Sequence, residues 1–364
     1  MEKRKAEMPT RKALAKRMHE YGAIDPEFMV FEADIGYSTY SHIFGDEYPD
    51  RYFNLGIQEM NVVNSAAGMA AEGRTVAVCG YGVFLTMRAV EAVRTTVCYQ
   101  NLNVKFFSSH GGITPAIDGV SHQASEDIAF MSTIPNMKVF APADTQAARG
   151  CFDLAMQTPG PCFVRLMRDP LFDIYGEDEE FVLGGSKLLQ EGSEITIVSY
   201  ADTVFQALEA AETLQNEGIG ADVLDMYSVK PYDRDAVLRS VGKTGALLVV
   251  EDHQKKNGLG YELAHLFMEE NPVPFAHLGL EDTFAESGAY DKLIEKYGLS
   301  AAHVVEKARN LLDRKRTKKK KKNRGEELCL KWPSSEDSSV RRKTDFTSTT
   351  SLWIWRVSSR AFLK

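Results

Sequence analysis

The stretch TVAVCGYGVFLTMRAVEAVRTTVCYQNLNVKFFSSH, residues 75–110, contains a complete strand–helix–strand pattern. Its ends, TVAVCGYG and VKFFSSH, are short apolar runs that predict buried strands, and TMRAVEAVRTTVCYQ between them predicts a helix. The alternation continues on both sides, with predicted helices in NVVNSAAGMAAEG (61–73) and TQAARGCFDLAMQ (145–157). Strands and helices that alternate at these lengths predict an α/β fold with mainly parallel sheets.

A second α/β unit follows the first. Its predicted strands are EITIVSY (194–200), ADVLDMYSV (221–229), ALLVVED (246–252) and FAHLGL (275–280). We therefore predict two three-layer α/β domains, residues 1–168 and 192–314. Residues 169–191 between them contain Pro, Gly and acidic residues without periodicity, which predicts a linker with a hairpin. His253, just after a predicted strand, is predicted to be a structural or interface histidine.

Residues 315–364 belong to neither unit. They contain a lysine run, serine-rich segments and the three tryptophans of the chain, a composition that predicts a basic, disordered tail. Two alternatives remain open: a basic patch for nucleic acid or a membrane surface, and a frame-shifted addition to a chain that naturally ends near Arg314. The whole chain has a formal net charge of −8. Residues 315–364 contain 15 Lys and Arg against 5 Asp and Glu, a net charge of +10, so residues 1–314 have a net charge of −18. This strongly acidic part of the chain disfavours nucleic acid as a partner.

The composition also bears on the cellular compartment. The chain has five scattered cysteines, an odd number that suits a reducing compartment without disulfides. The first residues are basic but include Glu2, Glu7 and Glu20 and no apolar segment, which argues against a targeting peptide. No run approaches the roughly 18–20 apolar residues of a membrane span. We expect a cytoplasmic protein without a membrane partner.

One loop concentrates chemically active side chains. The segment SHGGITPAIDGVSHQASED, residues 109–127, holds His110, Asp118 and His122. Its spacing H-x7-D-x3-H is not a compact zinc pattern and no cysteine lies near, so we predict no metal ligand in this chain. A solvated surface loop remains the alternative. In parallel sheets ligands bind beyond the carboxyl ends of the strands, where Asp34, Tyr81, His110 and Arg168 are expected.

Two further segments carry candidate residues. Glu59 opens an otherwise apolar helix, and a buried carboxylate must find a hydrogen-bond partner or be neutralised. The alternative is a helix-end charge favoured by the helix dipole. Tyr81 and Phe84 follow a predicted strand, where aromatic residues commonly cover the core.

Six ordered motifs connect these segments. They are GIQE opening an Ala-rich helix, aromatic residues ahead of RAVEAVR, SHGGI, DGVSHQASED, IPNMKVFAPAD and GPCFVRLMR. Together they resemble the C-terminal half of transketolase over residues 8–313. The resemblance implies a pyrimidine-binding domain, a C-terminal domain and thiamine diphosphate, whose C2 carbon splits a ketose and carries a two-carbon ketol unit to an aldose.

A further motif of the family is missing. Transketolases hold the diphosphate and its metal with a Gly-Asp-Gly segment in an N-terminal domain, and this sequence contains no such segment. The resemblance therefore implies the C-terminal subunit of a split enzyme, active only with a partner subunit that carries the Gly-Asp-Gly site and Mg²⁺. It also implies self-association through the same fold, a heterotetramer, sugar phosphates as substrates and a place in pentose phosphate metabolism.

The resemblance implies roles for the cofactor-binding residues. Glu59 would hydrogen-bond N1′ of the aminopyrimidine and act as a catalytic residue. Tyr81 and Phe84 would stack on that ring. Asp34 would lie near the cofactor.

The same resemblance implies roles toward the sugar. His122 would relay protons to and from substrate hydroxyls, and Asp118 would select the hydroxyl stereochemistry at C2 and C3 of the donor. The residues that would grip the sugar phosphate are Arg11, Ser38, His110 and Arg168, of which His110 also counts as catalytic. One position departs from the family: Ala116, preceded by Pro115, stands where a glycine is common, which predicts a stiffer loop and leaves substrate choice open.

Other interpretations remain. The β subunits of 2-oxoacid dehydrogenases and deoxyxylulose-phosphate synthase share the cofactor architecture. The arginine and serine set and the DGVSHQ loop favour transketolase over a 2-oxoacid dehydrogenase, because an oxoacid substrate needs neither. The missing N-terminal half argues against deoxyxylulose-phosphate synthase. A non-catalytic regulatory subunit of the same fold is a third possibility.

Overall fold

The computed structural model describes residues 4–323. The strands are β1 (Arg4–Lys5), β2 (Met29–Glu32), β3 (Tyr52–Asn54), β4 (Val76–Tyr81), β5 (Val104–Ser109), β6 (Lys138–Phe140), β7 (Cys162–Arg165), β8 (Phe172–Asp173), β9 (Lys187–Gln190), β10 (Ile195–Ser199), β11 (Ala221–Asp225), β12 (Ser228–Lys230), β13 (Leu247–Gln254) and β14 (Phe275–Leu280). The α-helices are α1 (Thr10–Ile24), α2 (Gly36–Thr39), α3 (His42–Glu47), α4 (Glu59–Ala71), α5 (Val90–Ala92), α6 (Asp127–Thr133), α7 (Thr145–Gln157), α8 (Thr203–Asn216), α9 (Arg234–Thr244), α10 (Leu259–Glu269), α11 (Tyr290–Lys296) and α12 (Ala301–Asn323).

The first domain is built on a mainly parallel sheet. Within residues 4–323, seven strands form it in the order β12-β6-β7-β5-β4-β2-β3. The strands β4, β5 and β7 are almost entirely buried, as expected for parallel strands covered on both faces. Helices α1 and α7 pack together over one face, and α4 covers the other face with its buried Val62, Val63 and Ala66.

The second domain has a smaller sheet of the same kind. In the described part of the chain its five strands follow the order β14-β13-β10-β11-β9, and β9 alone runs antiparallel to its neighbour. The prediction of two α/β domains with mainly parallel sheets is confirmed.

The segment predicted as a linker takes part in two sheets. Strand β8 pairs with β1 near the start of the chain, and β9 forms one edge of the second sheet. The two strands therefore do not form a hairpin with each other. Both pair with distant segments, and such long-range pairing leaves no local turn signal in the sequence.

The run 221–229, predicted as one strand, divides between the two domains. Its first part is β11 of the second sheet, whereas β12 crosses to the first sheet and pairs antiparallel with β6. Lys230 Nζ fixes the end of β12 by donating to the carbonyl oxygens of Ser132 (2.8 Å) and Ile134 (2.6 Å). The C-terminal domain thus completes the sheet of the first domain.

The predicted helix after β4 is irregular. Residues 84–88 and 93–98 form π-helical turns on either side of the short α5. Such turns are uncommon and are often found at functional sites. Phe84 and Arg88 are the first and last residues of the first of these turns.

The last described helix runs past Arg314, the predicted end of the second domain. Helix α12 continues to Asn323, and Lys315 Nζ donates to the carbonyl oxygen of Glu194 (2.8 Å) and also to that of Thr244. Most of the predicted tail, including Trp332, Trp353 and Trp355, lies outside the described residues. Among the helices of residues 4–323, none has the length and apolar composition needed to cross a membrane.

Candidate active site

A cavity of about 430 Å³ lies at the carboxyl ends of neighbouring strands in the first sheet. Tyr81 ends β4, His110 directly follows β5, and Arg168 follows β7. The cavity is lined by Arg11, Ser38, Tyr81, His110, Asp118, His122 and Arg168. The structure therefore brings all the predicted sugar-binding residues together around one space.

Two arginines give the cavity a cationic wall. Arg11 Nη1 donates to Ser38 Oγ (3.1 Å), and Arg11 Nε donates to the carbonyl oxygen of Arg168 (2.9 Å). Arg168 forms ion pairs with Asp118 (Nε–Oδ2, 2.9 Å) and Asp169 (Nη1–Oδ1, 2.8 Å). Burial and the nearby charge of Arg168 lower the pKa of Arg11. Two guanidinium groups held near each other favour an anionic ligand.

His110 is buried at the back of the cavity in a left-handed conformation, with φ of 65°. Its Nδ1 lies 2.8 Å from Ser109 Oγ, and its Nε2 lies 3.7 Å from Asp118 Oδ2. Burial, together with the charges of Arg11 and Arg168, lowers the pKa of His110 to about 2. The imidazole is therefore neutral at physiological pH, so that one ring nitrogen donates and the other accepts.

The buried His110 predicts a pH dependence of stability. An unfolded chain takes up a proton at this histidine below pH ~6.5, whereas the folded chain does not, so the free energy of unfolding falls as the pH drops below that value. Between pH 7 and 5 we expect wild type to lose up to about 2 kcal/mol more than His110→Asn, which suits the left-handed backbone. Urea unfolding at both pH values measures the difference. His265→Asn, at an exposed histidine of α10, is the control, and parallel pH profiles for wild type and His110→Asn contradict the prediction.

His122 lies at the mouth of the cavity beside the aromatic pair. Its ring centroid is 5.4 Å from that of Tyr81 and 5.8 Å from that of Phe84. Its Nδ1 lies 2.9 Å from Ser121 Oγ, which leaves Nε2 without a protein hydrogen bond in the described part of the chain. This histidine can therefore exchange a proton with a ligand in the cavity.

Glu59 is the first residue of α4 and is 2 % exposed. Its Oε2 accepts a hydrogen bond of 2.8 Å from Arg88 Nη1, and the Arg88 guanidinium lies over the Phe84 ring at 4.5 Å. Phe84 in turn lies 6.0 Å from Tyr81, between ring centroids. Glu59 is thus linked to the cavity through Arg88 and Phe84. The sequence did not indicate Arg88 as the partner, although a buried carboxylate predicts that some partner exists.

Asp34 lies in an adjoining cavity of about 500 Å³ that shares Ser38 and Tyr81 with the first. It has a left-handed backbone, with φ of 59°, and its Oδ1 accepts from Asn54 Nδ2 at 2.9 Å. Glu32 lines the same cavity, and burial raises the pKa of its carboxyl group. Sequence reasoning missed Glu32, because nothing in the apolar run FMVFEAD distinguishes it from a strand-end charge.

Apolar side chains next to these residues in the chain are exposed. They include Tyr37 beside Ser38, Ile57 and Met60 beside Glu59, and Met87 beside Arg88. Exposed apolar side chains around a site are typical of an interaction surface. Within residues 4–323, by contrast, no group of three or more His, Cys, Asp and Glu side chains is arranged to hold a metal ion.

Ala116, which stands where the resemblance implies a glycine, has a backbone conformation that favours glycine. Ala116 is buried with φ of 54°, a conformation that costs little for glycine and more for alanine. It packs against Ile113, Leu280 and Leu293. The loop therefore accommodates the methyl group by packing it against the C-terminal domain.

The fold and this cavity define an α/β protein with a cavity lined by two arginines beside an aromatic wall and a buried carboxylate. The model of the family "Transketolase, pyrimidine binding domain" matches residues 6–172, and that of "Transketolase, C-terminal domain" matches residues 184–304. The chain belongs to the transketolase family. The resemblance read from the motifs is confirmed.

Several known proteins are similar to more than four fifths of the chain. The 6-deoxy-6-sulfo-D-fructose transketolase subunit SqwH of Clostridium sp. (strain MSTE9) is 38% identical, over 81% of this chain and 92% of that protein. A subunit of the apulose-4-phosphate transketolase of Phocaeicola vulgatus is 32% identical, over 82% of this chain and 96% of that protein. A solved structure described as "Split gene transketolase, inactive beta4 tetramer" is 39% identical with a TM-score of 0.79, covering 85% of this chain and 99% of the other.

Proposed function

We propose that this chain is the C-terminal subunit of a split, thiamine-diphosphate-dependent transketolase, which transfers a two-carbon ketol unit between sugar phosphates together with a partner subunit. The observation that carries the proposal is the cavity in which Arg11 and Arg168 lie beside His110, Asp118 and His122. Arginines alone would also suit simple anion binding, but a non-catalytic subunit of the same fold has no use for His110, Asp118 and His122 around the same space.

The residues next to this cavity suit the pyrimidine half of thiamine diphosphate. Tyr81 and Phe84 offer a flat aromatic wall, and Glu59 offers a buried carboxylate at the start of a helix. When bound, the cofactor supplies the carbon atom that takes up the ketol unit. Glu59 would hold a proton at N1′ of the pyrimidine ring, Tyr81 and Phe84 would orient the ring, and Asp34 would lie near it.

The remaining side chains act on the sugar. His122 would take and return protons at the substrate hydroxyls, because it lines the cavity and its Nε2 makes no protein hydrogen bond in the described part of the chain. Asp118, held by Arg168, would fix the orientation of the C2 and C3 hydroxyls of the donor. Arg11, Ser38 and His110 would bind the phosphate together with Arg168.

A partner subunit is supported by the exposed apolar residues around Glu59 and by the relatives that are themselves named as subunits. The partner would carry the Gly-Asp-Gly segment and hold Mg²⁺ and the diphosphate. The β4 tetramer of the related structure supports self-association of this chain as well. We propose a heterotetramer, a role in pentose phosphate metabolism and a cytoplasmic location; the four described cysteines are buried free thiols, which suits a reducing compartment.

Ketol transfer by the two subunits together tests the proposed function. The chain is co-purified with a Gly-Asp-Gly-bearing partner and supplied with thiamine diphosphate, Mg²⁺, a ketose phosphate and an aldose phosphate. A product two carbons longer than the acceptor, identified by mass spectrometry, supports the proposal. Turnover of 2-oxoacids instead of ketose phosphates contradicts it.

The phosphate assignment predicts a selective effect of Arg168→Met. Loss of charge-assisted hydrogen bonds worth about 1.5–3 kcal/mol corresponds to a KM for phosphorylated donors raised roughly 10- to 100-fold. A donor without phosphate should be affected less, because it loses only the ion pair that holds Asp118. The matched control is Arg149→Met, at a surface arginine paired with Glu20. An equal loss for both donors shows that Arg168 does not bind the phosphate.

A further inference from the structure

The loop between β5 and α6, residues 110–126, is here called the substrate loop, because it carries His110, Asp118 and His122. The C-terminal domain contacts it at several points. Gly288 N donates to the carbonyl oxygen of Ala116 (3.3 Å), and Gln254 N donates to that of Ser125 (2.8 Å). Both domains therefore determine the path of this loop.

A buried ion-pair network holds the two ends of the substrate loop. Arg165, at the end of β7, donates from Nε to Asp127 Oδ2 (2.9 Å), just after the loop. Its Nη1 donates to Asp252 Oδ1 (2.7 Å), and Asp252 lies on β13 of the C-terminal domain. Asp252 Oδ2 accepts from the backbone N of Ile113 (3.2 Å), near the start of the loop. We call the pair Arg165 and Asp252 the clamp.

Gly111 and Gly112 allow the side chains of Arg165 and Asp252 to approach the backbone of the loop closely. A Cβ atom at Gly112, where φ is 56°, would lie 1.7 Å from Asp252 Oδ2. A Cβ atom at Gly111 would lie 2.6 Å from Arg165 Cγ. A side chain at either position would push the loop off the clamp, which explains the paired glycines of SHGGI in terms of packing.

A further carboxyl group supports the clamp from behind. Asp202 is buried, accepts a hydrogen bond from Tyr290 Oη (2.6 Å), and lies close enough to Asp252 to interact with it. Burial and the charge of Asp252 raise the pKa of Asp202. The clamp is completely buried. Removal of one partner from a buried ion pair leaves the other as an uncompensated buried charge, which is strongly destabilising.

We propose that the C-terminal domain positions the substrate loop through the clamp, and that Asp252 is a positioning residue for ketol transfer. The kinetic part of this inference rests on the proposed function, whereas the ordering of the loop is a property of the chain itself. A glycine-containing loop has many conformations, and displacement of a substrate-binding group by about 1 Å can cost on the order of 10²-fold in rate. Attachment of both loop ends to one buried pair removes that freedom.

Hydrogen exchange of the purified chain tests the ordering of the loop without any substrate. Asp252→Asn keeps the size of the side chain and can still accept from Ile113 N, but it removes the charge that pairs with Arg165. We expect the amides of residues 111–127 to exchange about 10-fold faster or more, with β4 and β5 unchanged. The matched control is Asp222→Asn on β11, a buried carboxylate paired with Lys243. Unchanged loop exchange in Asp252→Asn overturns the proposal.

Kinetics of the reconstituted complex test the consequence for catalysis. We expect Asp252→Asn to raise the KM for a ketose phosphate at least about 10-fold and to weaken discrimination between donors epimeric at C3. Exchange of the cofactor C2 proton should stay unchanged, because Glu59 makes no contact with the clamp. A loosened loop with an unaltered KM, or a parallel fall in C2 exchange, overturns the positioning role. Absence of ketol transfer in the wild-type complex refutes the proposed function and the kinetic role of Asp252. The hydrogen-exchange experiment then still tests whether the clamp orders the substrate loop.

A milder variant keeps the proposal testable if Asp252→Asn does not fold. The partly buried Gln254 donates from Nε2 to the carbonyl oxygen of Thr283 (2.8 Å) and to Ser125 Oγ (3.4 Å). Gln254→Ala removes both bonds and retains the ion pair. A smaller increase in exchange, confined to residues 123–127, supports the proposal. Residues 111–122 should exchange as in wild type because the clamp is intact, and faster exchange throughout the loop in this folded variant overturns the proposal.

Discussion

The purified chain alone is expected to catalyse no measurable ketol transfer, and activity is expected only with a partner subunit and Mg²⁺. This chain offers Glu59, Tyr81 and Phe84 to the pyrimidine ring, but its sequence has no Gly-Asp-Gly segment for the diphosphate. Mg²⁺ in phosphate sites is held by one or two carboxylates together with the phosphate oxygens. Because this chain lacks that segment, we expect thiamine diphosphate to bind only weakly to the chain alone.

The measurement compares four samples: this chain, the partner, their mixture, and their mixture treated with a chelator. Only the untreated mixture should transfer the ketol unit. Titration calorimetry with thiamine diphosphate should show tight binding only where both subunits and Mg²⁺ are present. Efficient transfer by this chain alone contradicts the division of the site between two subunits.

Glu59→Gln is expected to slow exchange of the cofactor C2 proton in the reconstituted complex by ~10²-fold or more, the size of effect seen when a positioned acid or base group is lost. Glutamine keeps the shape of the side chain but cannot hold a proton at N1′ in the way a carboxylate does. The structure also supplies a competing explanation for the buried carboxylate, its ion pair with the half-exposed Arg88.

The two explanations predict different results. If Glu59 is only the partner of Arg88 at a helix end, the substitution costs up to about 1 kcal/mol of stability and spares the chemistry. C2 hydrogen–deuterium exchange, followed by NMR at saturating cofactor, separates them. Glu91→Gln on the neighbouring α5, at an exposed carboxylate that accepts from Thr95 Oγ1, is the control. An unchanged exchange rate in Glu59→Gln refutes its catalytic assignment.

The fold was predictable from the sequence because its central strands are buried on both faces and therefore appear as uninterrupted apolar runs. The run 221–229 shows the limit of this signal. An apolar run indicates burial but does not say in which sheet, so the crossing of β12 to the first domain could not be predicted. The π-helical turns at 84–88 and 93–98 were missed because apolar spacing hardly distinguishes them from an ordinary helix.

The sequence predicted which residues line the candidate site, but not which residues pair with them or hold the loop that carries them. His110, Asp118 and Arg168 lie in recognisable motifs after strands, and parallel topology brings such segments to one edge. Arg88 as partner of Glu59, and Asp252 as partner of Arg165, belong to contacts between segments far apart in sequence. Only folding reveals these pairs, and the roles of the site residues stay predictions.

The crossing of β12 has a consequence for how a gene of this kind can be rearranged. Without the C-terminal domain, β6 would present unpaired backbone groups at the edge of the first sheet, and exposed edges of this kind pair with other chains. We therefore expect a gene divided between these two domains to produce insoluble halves. We expect fusion, duplication or exchange of coding segments to yield a folded product only when residues 6–304 are carried as a single block, which couples the two domains in any rearrangement.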